Sequence, residues 1–293
     1  MGLVKKIVIA MCVCFLSPIA WAQVFDGITL ETVELEDALQ RIEPGTVVVI
    51  GENHNQRVHR DQQLQIMRML KSNGHNVHTG LEFVYYPDQE KLDQFRGGLL
   101  TESEFLKAIN WGGDGFEFYR DQILFPNSQD GESAWALNLP RTITGKIARQ
   151  GLVALTDSER SLLPPNFSSG RLAYKERFMK TMPHLDPSKA ENYFISQSAW
   201  DDTMAWNASE IMHRYSNSVL VIVSGDFHVA FGGGLPDRLK ARGIKKVFTI
   251  SQFNSEGLSA KQIESEIAVN NGDIRADLIW VEDLSKSKKI MMR

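Results

Sequence analysis

Thr46-Val47-Val48-Val49-Ile50-Gly51-Glu52-Asn53-His54 is the stretch on which the fold is decided. Four β-branched apolar residues, Val47 to Ile50, run into a glycine, an acid and an imidazole. A short, wholly apolar run of this kind reads as a strand buried on both faces, as in a parallel sheet covered by helices. Gly51 would let the backbone turn sharply at the carboxyl end of the strand. Glu52 and His54 would then stand at the rim where open α/β sheets place their ligand crevices. The pattern recurs in Val219-Leu220-Val221-Ile222-Val223-Ser224-Gly225-Asp226-Phe227-His228. Both copies read strand, glycine, acid, any residue, histidine.

Around these two strands the chain reads as alternating helices and strands. Glu31 to Arg41 is a short helix with Val33, Leu35 and Leu39 inward, and Glu43-Pro44-Gly45 is turn punctuation. Val58 to Lys71 is a helix ending near Asn73-Gly74. Val77 to Phe83 is a second strand, which delivers Glu82 to the same rim; strand, helix and strand make a right-handed crossover unit. Short helices follow at Pro87 to Phe95 and Glu102 to Ile109, then an aromatic cluster of Trp111, Phe116, Phe118 and Tyr119. Ser133 to Asn138 is a third strand and Thr142 to Arg149 its helix, stopped by Gly151. Leu162-Leu163-Pro164-Pro165-Asn166 is the best internal break, and from there to Tyr215 the pattern is helical only, with Asp186-Pro187 as a helix start. Tyr193, Gln197, Trp200, Met204, Ile211 and Tyr215 share one face of that helix, a stripe read as core packing. After the second motif, Gly232-Gly233-Gly234-Leu235-Pro236 opens a helix to Arg242. Lys246 to Phe253 is a strand, residues 254–273 a polar surface excursion, and Leu278 to Val281 a final, edge-like strand. The expected fold is α/β: a mostly parallel central sheet flanked by helices, with a helical insertion, about 155–215, over the carboxyl-terminal rim.

Composition sets the class. The chain has 293 residues, 43% hydrophobic and 23% charged, ordinary for a globular protein and unlike a disordered one. Residues 1–22 stand apart: Lys5 and Lys6 precede an apolar run from Ile7 to Leu16, closed by Ala20-Trp21-Ala22. That is the pattern of a secretory signal peptide cut before Gln23, and the run is short for a membrane span. Residues 23–293 are then one α/β domain, placed in the periplasm. Cys12 and Cys14 are the only cysteines and both lie in the signal, so neither a disulfide nor a thiolate ligand is expected in the mature chain. Neither sits where a lipidated cysteine belongs, so no lipid anchor is expected. Losing Lys5 and Lys6 moves the net charge from −4 to −6, which does not suit nucleic acid. The one basic run, Lys286-Ser287-Lys288-Lys289, reads as a solvated tail.

If the strands lie side by side, Glu52, His54, Glu82, Asp226 and His228 converge, with Asn138 as a polar neighbour. Imidazoles and carboxylates without thiols suit a divalent metal such as Mn, Fe or Zn, and Glu52, His54, Glu82 and His228 are the candidate ligands. Such a metal would acidify water for hydrolysis. The same groups without metal could do general acid–base work. The plainer reading makes each histidine a surface turn residue and each acid a helix cap. His59, on the first turn of the following helix, reads as exposed but near the rim; His75, His78, His184 and His213 have no repeated context. The protein could hold haem iron through a His, Met or Tyr axial ligand and an apolar pocket. Tyr85 and Tyr86 follow Glu82 closely, and the aromatic cluster could supply stacking surface.

Several stretches together resemble a known family: Gly51-Glu52-Asn53-His54 with His59 and Gln62-Gln63, Leu81-Glu82-Phe83, Gln89 to Phe95, Trp111, Ala136-Leu137-Asn138-Leu139-Pro140-Arg141, Trp200-Asp201-Asp202-Thr203-Met204-Ala205, and Gly225-Asp226-Phe227-His228-Val229 with Gly234-Leu235-Pro236. The chain resembles the ChaN-like family, the haem-binding uptake branch of the Tiki superfamily, over roughly residues 40–250. The resemblance implies an α/β protein of bacterial haem-iron uptake, secreted or lipid-anchored, holding haem between the protomers of a homodimer and working with outer-membrane uptake machinery. No family haem-ligating tyrosine falls on a motif here, so His54, His59, Tyr85, Tyr86 and His228 stay open as haem-binding residues. The wider superfamily includes metal-dependent peptidases and erythromycin esterase-like hydrolases. That likeness implies catalytic roles for Glu52, His54 and His228, with Glu82 as the second carboxylate. A haem-binding protein is the first expectation and a metal-dependent hydrolase of peptide or ester bonds the alternative. A scaffold whose rim residues only cap helices is the third.

Overall fold

A computed structural model describes residues 23–112, 115–270 and 272–282. The signal-peptide reading of residues 1–22, with Cys12 and Cys14, and the basic tail from Lys286 lie outside the described residues. In chain order the elements are β1 Gln23–Asp26, β2 Thr32–Val33, α1 Leu35–Leu39, β3 Thr46–Glu52, α2 Arg57–Ser72, β4 Val77–Tyr85, α3 Gln89–Arg96, α4 Glu102–Ala108, α5 Arg120–Leu124 and β5 Ala134–Asn138. They continue with α6 Arg141–Gln150, α7 Asp157–Arg160, α8 Leu172–Thr181, α9 Pro187–Arg214, β6 Val219–Gly225, α10 Leu235–Ala241, β7 Lys246–Asn254, α11 Ala260–Ile267 and β8 Leu278–Glu282.

The eight strands form one sheet in the order β2-β1-β8-β7-β3-β6-β4-β5. From β8 to β5 every pairing is parallel, and β1 and β2 add an antiparallel margin. β3 lies in the middle because its apolar run satisfies both faces. Val48 and Ile50 pack with Val221, Val223 and Ile250 under α1 and α2. Val47 and Val49 pack with Leu220 and Ile222 under α9 and α10. Full burial of each such side chain is worth roughly 1.5–3 kcal/mol, so the two central strands anchor the domain. A third cluster sets Phe95, Phe105 and Phe116 of the α3–α5 region against Leu81, Ala134 and Ala136 at the β4–β5 end.

The glycines of the paired motifs act differently from the sequence expectation. Gly51 does not turn the chain. It stays in the ladder opposite Ser224 and Ser251, and a Cβ there would lie 2.6 Å from Asp226 Oδ1. Its missing side chain lets the segment after β6 cross close over the end of β3. The turn comes later, at Asn55, whose φ of 61° is left-handed and suits asparagine.

Three further expectations are corrected. β8 is not an edge strand but is paired on both sides, by β7 and β1, with Leu278 to Val281 buried. The stretch 254–273 is not merely a surface excursion, since α11 inserts Ile263 and Ile267 against Phe253 and Ile279. The helix read over Glu31 to Arg41 is shorter, Leu35–Leu39, because Thr32–Val33 is strand β2, which pairs with β1 in an N-terminal hairpin. Of residues 155–215, α9 does two jobs. Met204 to Met212 lie on the sheet in the second cluster, while Gln197 and Asp201 reach the carboxyl-terminal rim. No helix among the described residues is long and apolar enough to cross a membrane.

Candidate functional site

The register brings the two motifs together. Glu52 at the end of β3 lies beside Gly225 at the end of β6 in the parallel ladder, so the residues after each emerge side by side. A Cβ on Gly225 would sit 3.1 Å from His54 Nε2 and 3.7 Å from His228 Cδ2. The two imidazoles therefore share one site, and the glycine makes room for both.

His54 is the accessible member, with 55% of its side chain exposed. Its Nδ1 lies 2.9 Å from Glu52 Oε1. Glu52 is itself fixed: Tyr119 donates its hydroxyl to Oε1 at 3.0 Å, and Gln63 donates to Oε2 at 2.7 Å. The hydrogen bond that His54 Nδ1–H gives to Glu52 raises the His54 pKa, against burial, which works the other way. In the neutral ring Nδ1–H faces Glu52 and the Nε2 lone pair remains for a ligand or a proton. Burial, then the neighbouring Glu52 charge, pushes the Tyr119 hydroxyl up, so it stays a donor.

His228 is the buried member. Its Nδ1 lies 2.5 Å from Asp201 Oδ1 and its Nε2 3.4 Å from Glu82 Oε1. Burial works against its charge, but Asp201 and Glu82 raise its pKa to about 10. Burial likewise works to raise Glu82, yet the His228 cation and the Gly225 N–H, which donates at 2.6 Å, hold it at about 2. Near neutral pH the pair is an imidazolium between carboxylates. Tyr174 donates to the other Asp201 oxygen at 2.9 Å, and Gln197 donates to Tyr174 at 3.1 Å.

Asp226, the acid of the second motif, lies at the same rim but is already engaged. It pairs with Arg275 and accepts the Ser251 hydroxyl at 2.6 Å. A cleft of about 650 Å³ opens beside it, lined by Glu52, His54, Arg177, Lys180, Phe227 and Phe231 among others. That size is within the range of small-molecule and cofactor sites. Arg177 lies 4.6 Å over the Phe227 ring and donates to the Phe227 carbonyl at 2.7 Å. Phe231 holds a left-handed φ of 57°, costly for an aromatic residue, with its N–H bonded to the Arg275 carbonyl and its own carbonyl taken by Arg171.

Glu52, His54, Glu82 and His228 thus meet, as expected. His59 does not join them. It is fully buried, its Nδ1 accepts the Asn53 N–H at 3.0 Å and its Nε2 lies 2.8 Å from Glu282 Oε1, so it ties the loop after β3 to the end of β8. Tyr86 turns away, donating to the Leu162 carbonyl at 3.1 Å and packing edge-on to Trp206. Tyr85 lines a separate hollow on the other side of Glu82. Asn138 stands in that hollow too.

The metal expectation does not fit. Among the described residues no group of three or more His, Cys, Asp or Glu side chains is placed to hold a metal ion. Three of the four candidate ligands are already engaged, Glu52 by His54, Tyr119 and Gln63, Glu82 by the Gly225 N–H and His228, and His228 by Asp201 and Glu82, which leaves the His54 Nε2 as the one free ligand atom among them. Haem fits better. The cleft offers one exposed, oriented imidazole, the Phe227 and Phe231 rings, and the Arg177 and Lys180 cations for carboxylate substituents.

Several members of the site were not singled out from sequence, among them Tyr174, Arg177, Lys180 and Phe231 as well as Asp201, Gln197 and Tyr119. Asp201 and Gln197 lie four residues apart on α9 and so face the same way. The signal was there, an acid beside the apolar stripe, but the stripe read as core. Tyr119 was grouped with the aromatic cluster, and its hydroxyl role has no local sequence signal.

The family model described as haem-binding uptake, Tiki superfamily, ChaN, matches residues 38–239. The solved structure of ChaN of Campylobacter jejuni, which binds haem cofacially, is 18% identical with a TM-score of 0.64, covering 89% of this chain and 97% of that one. The type III effector HopBA1 is 15% identical with a TM-score of 0.45, covering 91% and 98%. An erythromycin esterase EreC mutant in its open conformation is 11% identical with a TM-score of 0.43, covering 80% and 77%. None of the curated proteins matches the chain. The first of these structures shares the fold, and the family model covers most of the sequence: the chain belongs to the ChaN family of the Tiki superfamily.

Proposed function

We propose that the protein binds haem in the cleft at the ends of β3 and β6, as a periplasmic component of bacterial haem-iron uptake. The observation that carries this is His54: a half-exposed imidazole, its far nitrogen held by Glu52, at the mouth of a cleft with aromatic walls and two cations. Family membership supports the same ligand. Haem bound there would supply a redox-active iron with a coordination position for an imidazole. The chain's own part is to orient His54 through Glu52, Tyr119 and Gln63, cover the porphyrin with Phe227 and Phe231, and neutralise its carboxylates with Arg177 and Lys180. Secretion rests on the signal-peptide pattern of residues 1–22. A homodimer is part of the proposal, since the Campylobacter jejuni relative binds haem cofacially. Titrating the purified protein with hemin tests it: a shifted, sharpened Soret band that saturates supports binding, and a featureless linear rise contradicts it.

One observation favours a second reading. Glu52 and His54 form an oriented acid–base pair beside the Glu82–His228 pair, as a hydrolase acting without metal requires. His54 would take a proton from water and the His228 imidazolium would steady the developing charge. Turnover of p-nitrophenyl esters that disappears in His54→Ala supports this reading, and rates equal to buffer contradict it.

A further inference from the structure

On the far side of Glu82 lies a second hollow of about 370 Å³, at the ends of β4 and β5 and separate from the cleft described above. Its walls include Tyr85, Trp111 and Trp200. Its acids are already engaged: Asp88 accepts from Lys91 at 2.6 Å, and Glu82 accepts from the Gly225 N–H and faces His228. Its donors are not. Among the described residues, the Arg141 guanidinium makes no ion pair or hydrogen bond. Asn138 is 5% exposed; its Oδ1 accepts the Leu139 N–H at 2.8 Å, and no partner takes its Nδ2. Trp200 Nε1 is buried without a partner.

Arg141 also opens α6, whose N-cap is Pro140. That residue offers no side-chain acceptor, and the first turn carries no acid. The N–H groups of Arg141 and Thr142 are therefore left to water or a ligand, at the positive end of a ten-residue helix. A helix end, a guanidinium and a buried carboxamide with an unspent donor thus meet beside flat aromatic walls. The fork of donors on an arginine suits a carboxylate. A dianion such as phosphate would meet twice the repulsion from Glu82 and Asp88 that a monoanion meets.

We propose that this hollow is a second ligand site, one that takes a small planar aromatic carboxylate. The carboxylate lies at Arg141, Asn138 and the start of α6, and the ring against Tyr85 and Trp111. The assignment is independent of haem binding, because none of these donors lines the His54 cleft.

The test uses the full-length mature protein and three probes, benzoate, benzamide and inorganic phosphate, followed by calorimetry and indole fluorescence. The expected result is saturable benzoate binding, no binding of benzamide, and at least a tenfold loss of benzoate affinity in Arg141→Gln. Arg141 is exposed, so this variant should fold as the wild type does. Arg141→Lys, which keeps the charge and loses the fork, should recover part of the affinity. Any of four results overturns the proposal: no saturable benzoate binding, equal affinity for benzamide, unchanged affinity in Arg141→Gln, or phosphate bound where benzoate is not. Loss of the benzoate signal in His54→Ala would place the ligand in the other cleft and also overturn it.

Discussion

His228 Nδ1 and Asp201 Oδ1 lie 2.5 Å apart in the buried heart of the site, joining the end of β6 to the middle of α9. Removing the charge of Asp201 leaves the imidazolium facing Glu82 alone. Asp201→Asn should therefore cost about 3–5 kcal/mol of stability in urea denaturation, the size expected for breaking a buried ion pair. A loss below 1 kcal/mol would mean that the pair holds nothing in place.

The same pair sets a pH dependence. The folded His228 pKa is raised from 6.5 to about 10, so its contribution is complete below pH 6.5 and is lost as pH climbs toward 10. The folded Glu82 pKa is lowered from 4.5 to about 2, so its contribution is complete above pH 4.5 and is lost as pH falls toward 2. The stability difference between wild type and His228→Gln should be largest between those limits and shrink on both sides. A difference that grows from pH 7 to pH 10 has the wrong sign.

Gly225→Ala should leave the fold intact but disturb both imidazoles, because the new methyl would lie 3.1 Å from His54 Nε2. Gly225 has an ordinary φ of −58°, so the cost is crowding, about 1–3 kcal/mol, and not backbone strain. NMR should show shifted His54 and His228 ring signals with far-ultraviolet circular dichroism unchanged. Unmoved ring signals would contradict the placement of Gly225 between the rings.

Tyr119→Phe removes one of the two donors to Glu52 Oε1, the other being His54 Nδ1. Leaving that buried carboxylate oxygen short of one hydrogen bond should cost about 1–3 kcal/mol in thermal or chemical denaturation. The phenyl ring keeps its stacking on Phe83, whose centroid is 3.9 Å away, so a larger loss would point to a packing role instead.

How much of this could be read in advance differs by residue. β3 and β6 were plain because both faces of each are covered, which forces an unbroken apolar run, and the parallel ladder then fixes Glu52, His54 and His228 together. The role of Gly51 was misread because a close crossing by Asp226 leaves no local mark, whereas a turn is the usual reason for a glycine after a strand. β8 looked like an edge because its cover, β1, is four residues long and carries no periodic signal. His59 looked exposed because its partner, Glu282, arrives from the other end of the chain. Asp201 lay in a quoted stretch, yet an acid on an amphipathic helix ordinarily faces water. Only the position of α9 over the rim turns it inward.

The most direct measurement is a hemin titration of wild type, His54→Ala and Tyr85→Phe followed at the Soret band. If the cleft beside β3 and β6 holds the haem, His54→Ala should shift the band and weaken binding at least tenfold, while Tyr85→Phe, across Glu82 in the other hollow, should titrate as wild type does. A normal band and affinity in His54→Ala, with both lost in Tyr85→Phe, would place the haem elsewhere and contradict the central assignment.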